Sequence, residues 1–134
     1  MAVVYAIDCG VRNAVGFAFN KDSGWLYQNA VSIQLIKKHG KENIFYWMSS
    51  TKEEVDFVVK VGRKVKRLIQ VCYDLGGQDT KKREIKALLK ASKELKCKDL
   101  LVITEDYEAE DKVNGNKVKC LPLWKWLLLA QSKI

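Results

Sequence analysis

Apolar residues fall along this chain in two rhythms. From residue 43 they come in short runs of strand length: "NIFYWMS" (43–49), "EVDFVVK" (54–60), "VKRLIQVCYDL" (65–75) and the unbroken "DLLVIT" (99–104). Runs this short, rich in β-branched and aromatic residues, predict strands. "VVYAID" near the start predicts another. The "VGRK" loop joining the second and third runs contains a glycine, which suits a hairpin. "EDKVNGNKVKCL" places Asn114-Gly115 between two alternating arms, a strong hairpin signal. The other rhythm is helical. Asp22 or Ser23 can cap a helix running to about Lys38 and ended by "HGK". Leu26, Ala30 and Ile33 form one stripe on it, and Tyr27, Val31 and Leu35 a second, so it is expected to pack on two sides. Asp79 or Thr80 can cap a helix with Ile85, Leu88, Leu89, Ser92 and Leu95 on one face. Pro122 is expected to open a last short helix carrying Trp124 and Trp126. The order β-α-β-β-β-α-β-β-β-α predicts an α/β layered domain. Its mixed sheet holds the 43–49, 54–60, 65–73 and 99–104 strands, flanked by the 23–38 and 79–96 helices.

Length and composition agree with one globular domain, 1–134. The chain has 134 residues, 48% of them hydrophobic, and a single proline. Such a chain can bury roughly two-thirds of its unfolded surface without staples. Cys9, Cys72, Cys97 and Cys120 form no C-x-x-C pair, and His39 is the single histidine, which argues against zinc. "LPLWKWLLLA" is half the length of the ~20-residue apolar stretch a membrane span needs. The expectation is a cytoplasmic protein with reduced thiols and no membrane partner.

The net charge is +8, and its distribution says more than its sum. "KVGRKVKR" (60–67) packs five cations into eight residues: Lys60, Arg63, Lys64, Lys66 and Arg67. Residues 81–98 hold eight more cations against two glutamates, which reads as a solvated helix face. The acids gather in "EDYEAED" (105–111). A basic cluster on a hairpin suits polyanion binding, so those five residues are the candidate nucleic-acid contacts.

Candidate chemistry lies in polar residues inside apolar strands. By strict alternation Glu54, Asp56 and Val58 share one face of the second strand, opposite Val55, Phe57 and Val59. Leu68, Gln70 and Cys72 share a face of the third, opposite Ile69, Val71 and Tyr73. Buried polar groups cost free energy unless paired, so Asp56 and Gln70 need partners or a job.

This arrangement resembles the restriction-endonuclease-like pattern, PD-(D/E)xK. The stretches "GWLYQNAVSIQLIKKHGKENIFYW", "EEVDFVVK", "LIQVCYDL", "REIKALLKASKEL" and "LLVITEDYEAEDKVNGNKVKCLPLWKWLL" together resemble a domain of that class. It is the C-terminal domain of a family of prokaryotic, mostly archaeal, AAA-type ATPases. The resemblance implies a metal-dependent nuclease fold in which two carboxylates bind Mg²⁺ and a lysine activates water. The ATPase itself is not part of the resemblance, since no G-x-x-x-x-G-K-[ST] loop occurs. Departures fall at the catalytic positions. Asp56 stands at the aspartate position, but Gln70-x-Cys72 replaces Glu-x-Lys. The family's Glu-Asn-x-x-x-x-Glu-Leu helix reads Gln28-Asn29 and Gln34-Leu35. Residues 28 and 34 lie about 120° apart on a helix, so at most one is expected at the site. Asp56, Gln70, Cys72 and Gln28 are therefore degenerate catalytic positions.

Three functions follow. The first is an inactive domain of this class, without cofactor, that binds nucleic acid or a partner weakly. The second is an active Mg²⁺-dependent endonuclease with a rearranged site, holding metal on Asp56 and Glu54 and borrowing Lys66. The third is an interaction domain for an AAA-type ATPase, using the tryptophan-rich C-terminus. The opening "VYAIDCGVRNAVGFAF" also resembles the first strand of RNase H-like resolvases. That comparison leaves the 54–75 unit unexplained, so Asp8 is read as a turn residue.

Overall fold

A computed structural model describes residues 3–6, 23–73 and 78–132. Asp8, Cys9 and Asp22 lie outside those residues. Seven strands, β1 (Val3–Ala6), β2 (Ile44–Met48), β3 (Glu54–Val61), β4 (Lys64–Val71), β5 (Leu100–Thr104), β6 (Ala109–Val113) and β7 (Asn116–Pro122), form one sheet. Their order is β1-β2-β3-β4-β5-β7-β6. β1 to β4 run antiparallel in sequence, β5 joins β4 in parallel, β7 joins β5 in parallel, and β6 pairs antiparallel on β7. Three helices, α1 (Ser23–His39), α2 (Gln78–Leu95) and α3 (Leu123–Ser132), complete a mixed α/β architecture of the expected element order.

The turns form where the sequence supplies the backbone freedom. β3 and β4 are joined by Gly62-Arg63, with positive φ at Gly62 alone (65°), as a two-residue hairpin with glycine in first place requires. Asn114 and Gly115 both take positive φ (51° and 81°) between β6 and β7. α1 stops at Gly40, whose N–H returns to Ile36 O at 2.8 Å. Lys37, Lys38 and His39 in its last turn oppose the helix dipole. Pro122 closes β7, paired with Thr104, and α3 begins one residue later than expected.

The sheet separates two cores. On one face α2 lays Ile85, Ala87, Leu88 and Ala91 against Trp47, Val55, Val58, Leu68 and Val102. On the other, Val31 and Leu35 of α1 and Trp126 of α3 pack on Phe57, Val59, Ile69 and Ile103. Burying side chains such as Phe57 and Leu68 stabilises by about 1.5–3 kcal/mol each. Trp47 satisfies its indole N–H on Glu94 of α2 at 2.6 Å. α1 does not pack on two sides. Its Val31–Leu35 stripe is buried, while Leu26 and Ile33 are 55% and 60% exposed. The sheet covers only one flank of the helix.

Two bulges matter for everything that follows. β2 and β3 pair Phe45 with Val58 and Trp47 with Val55, so Asp56 and Phe57 together oppose one residue of β2. β3 and β4 pair Val59 with Arg67 and Lys60 with Val65, so Lys66 is the extra residue on β4. A bulge turns the side chain of its extra residue to the other face.

Candidate functional site

Strict alternation would place Asp56 beside Gln70 on the α2 face. The bulge in β3 overturns that expectation. Val55 and Val58 both belong to the α2-side core, and Asp56 is turned toward α1. Gln28 of α1 donates its amide N–H to Asp56 Oδ1 at 3.2 Å. Gln70 keeps to the α2 face with Leu68 and Cys72, and its amide approaches Glu84 O of α2 at 3.4 Å.

The ladder between β3 and β4 ends at Phe57 and Ile69. Beyond that pair the strands part, and side chains replace backbone partners. Val71 N–H donates to Asp56 Oδ2 at 2.8 Å. Asp56 N–H donates to Gln70 Oε1 at 2.9 Å, and Gln70 Nε2 donates to Glu54 O at 2.7 Å. Asp56 and Gln70 thus clip the diverging strands together, one from each face. This answers why two polar residues sit in apolar strands: each satisfies buried backbone groups that would otherwise cost free energy.

Glu84 is the residue that sequence reasoning missed. Burial first, then the neighbouring Asp56 and Glu54 carboxylates, push its carboxyl up to about 7, with Arg83 opposing. The signal was present: Glu84 lies on the α2 stripe of Leu88, Ala91, Ser92 and Leu95, an acid on an apolar face. Nearby, Tyr27 meets Tyr73 edge-on at 5.0 Å between centroids. Burial and the charges of Glu105 and Asp106 raise the Tyr27 hydroxyl. This end of the sheet, where β4 and β5 finish, is acidic.

The fit of a divalent cation can be tested on these atoms. Both Asp56 oxygens accept from N–H donors, and the Gln70 position offers an amide engaged with backbone. Among the described residues no group of three or more His, Cys, Asp or Glu side chains is placed to hold a metal ion. As placed here, these side chains are occupied by the fold's own donors and acceptors rather than arranged around a cation. Cys72 is buried in the α2-side core.

The candidate nucleic-acid residues lie elsewhere. Gln34 falls ~9 Å along α1 from Gln28, so the two helix positions do not converge. Arg63 at the hairpin tip is ~23 Å along β3 from Asp56. Lys66 is likewise remote from Glu54, so the borrowed site is not assembled. Arg63, Lys64 and Lys66 are exposed and Lys60 half-buried, while Arg67 pairs with Asp99 at 3.1 Å. Lys66 and Arg67 instead line a groove of about 540 Å³ on the α1–α3 face, with Lys38, His39, Lys119 and Trp126.

A mixed sheet with helices on both faces, acidic at one end and basic at the other, defines an α/β domain. Its sequence matches the family model described as Domain of unknown function (DUF4143) over residues 23–126. The chain belongs to that family, a domain typically found with AAA ATPases. Comparison with curated proteins and with solved structures gives no match. Among the described residues no helix is long and apolar enough to cross a membrane.

Proposed function

We propose that this chain is a restriction-endonuclease-like domain that has lost catalysis and binds nucleic acid weakly, without sequence preference. The observation that carries the reading is the strand clip. Asp56 and Gln70 occupy the positions the class uses for metal, yet their polar atoms hold β3 to β4 and α1. A cation-dependent reaction of this class would need a second carboxylate beside Asp56, and the Gln70 carboxamide carries no charge to share a cation. Binding is supported at the other end of the sheet. Among the described residues Lys60, Arg63, Lys64 and Lys66 have no ion pair. Contact with about three phosphates would give log affinity a slope near −2.7 against log salt.

The experiment is plasmid nicking with Mg²⁺ or Mn²⁺ beside an Asp56→Asn control, with DNA binding followed across a salt series. No cleavage with salt-sensitive binding is expected. Robust nicking that Asp56→Asn abolishes would restore the active-nuclease reading. A second reading, docking to an AAA-type ATPase, is favoured by one observation. Leu26, Ile33, Trp124, Leu128 and Leu129 are all exposed on α1 and α3.

A further inference from the structure

The bulge at Lys66 has a cost: it interrupts a hairpin ladder that is otherwise continuous from Phe57 to Val61. What it achieves is direction. Without it Lys66 would face the α2 side with Leu68. With it, Lys66 and Arg67 both line the groove between α1 and α3. Lys38 enters from the last turn of α1 and Lys119 from β7, so three strands' worth of separation in the fold is brought to one concavity. Four permanent cations face one acid there, Asp99, which Arg67 already pairs. The same groove has an apolar floor of Leu35, Leu121 and Trp126.

A cationic rim over an apolar floor fits an anion with an aromatic body. At about 540 Å³ the groove has the size of small-ligand sites, which run roughly 300–1,000 Å³. Stacked, paired bases in a duplex are not available to such a floor, whereas an unpaired base can be splayed into it. We propose that this groove seats an unpaired nucleotide of single-stranded nucleic acid, with phosphates on Lys38, Lys66 and Lys119 and the base on the Leu35–Trp126 floor. The site lies at the opposite end of the sheet from Asp56. The proposal rests on the nucleic-acid reading above and specifies its strand type and location.

The field in the groove agrees with this assignment. Burial, and then Lys38, Arg67 and Lys66, lower the His39 imidazole below its ordinary value. Burial is the larger cause, and the three cations add to it in the same direction, as positive charge near an imidazole does.

The test is fluorescence anisotropy of the full chain at low salt with a labelled short oligothymidylate, beside a duplex of equal length. Two variants are compared: Lys66→Ala with Lys119→Ala in the groove, and Arg63→Ala with Lys64→Ala at the hairpin tip. All four side chains are exposed, so thermal melts of the variants should match the parent. Single strand is expected to bind at least ~5-fold tighter than duplex. The groove variant should weaken single-strand binding at least ~10-fold and reduce the salt slope by about 2, and the tip variant should do less than either. Equal binding of both strand types, lost in the tip variant and kept in the groove variant, would overturn the groove and leave nucleic-acid binding standing. Absence of binding to either probe would overturn both.

Discussion

Gln70 bridges Asp56 and Glu54 across the point where β3 leaves β4, accepting from the N–H of the first and donating to the carbonyl of the second. Its carboxamide does what neither a carboxylate nor an ammonium could, since it presents an acceptor and a donor at once. Gln70 is 1% exposed. Gln70→Ala is expected to destabilise by about 2–4 kcal/mol, from the cavity together with two unsatisfied backbone groups. Gln70→Glu should also destabilise at neutral pH, because its carboxylate would face the Glu54 carbonyl. Urea unfolding measures both, and a Gln70→Ala variant as stable as the parent would refute the clip.

The Glu84 carboxyl gives stability a pH dependence of definite sign. Its folded pKa of about 7 lies above the ordinary value of 4.5. The folded state therefore holds more protons than the unfolded state between those values, and stability falls as pH rises through that window. Below pH 4.5 both states are protonated and the penalty is gone. Glu84→Gln should relieve it, stabilising by about 3 kcal/mol at pH 8 and by almost nothing at pH 4. Thermal melts of parent and variant across that range check this. A constant difference between the two would show that Glu84 titrates normally.

Trp124 and Leu128 should be nearly silent in folding. They are 60% and 59% exposed on α3, and exposed truncations usually change stability by less than about 0.5 kcal/mol. Trp124→Ser with Leu128→Ser is expected to leave the melting temperature in place while reducing binding of a hydrophobic dye, as loss of an exposed apolar patch would. A large drop in melting temperature would mean these side chains are packed, and would remove the support for ATPase docking.

Much of this fold is legible in the sequence because it depends on local rules. Asn114-Gly115 and Gly62 announce their turns through the positive φ that those turns need, and the α2 stripe announces its buried face. The candidate site is less legible because it depends on the two bulges. Nothing in "EVDFVVK" marks Asp56 as the residue that leaves the alternation, since a bulge is decided by how both strands twist and pair. Alternation therefore puts Asp56 on the face of Val58, an assignment that the bulge in β3 overturns. The burial of α1 is illegible for another reason. Leu26 and Ile33 are apolar at helical spacing, and periodicity alone cannot tell a buried stripe from an exposed one.

His39 offers a check on the groove that does not depend on deleting a cation. Its imidazole is held below the usual value by burial and by Lys38, Arg67 and Lys66. Phosphate seated among those cations would offset their field and favour the protonated ring, so binding and protonation are linked and each strengthens the other. Single-strand affinity should therefore rise as pH falls below ~6.5, the ordinary histidine value. The rise should be steeper than in a His39→Gln variant, which keeps a polar group but cannot titrate. His39 pKa, followed by NMR, should move up on adding oligothymidylate. If affinity is flat between pH 7 and pH 5 in the parent, or follows the same course in His39→Gln, the nucleotide does not enter the groove beside this residue.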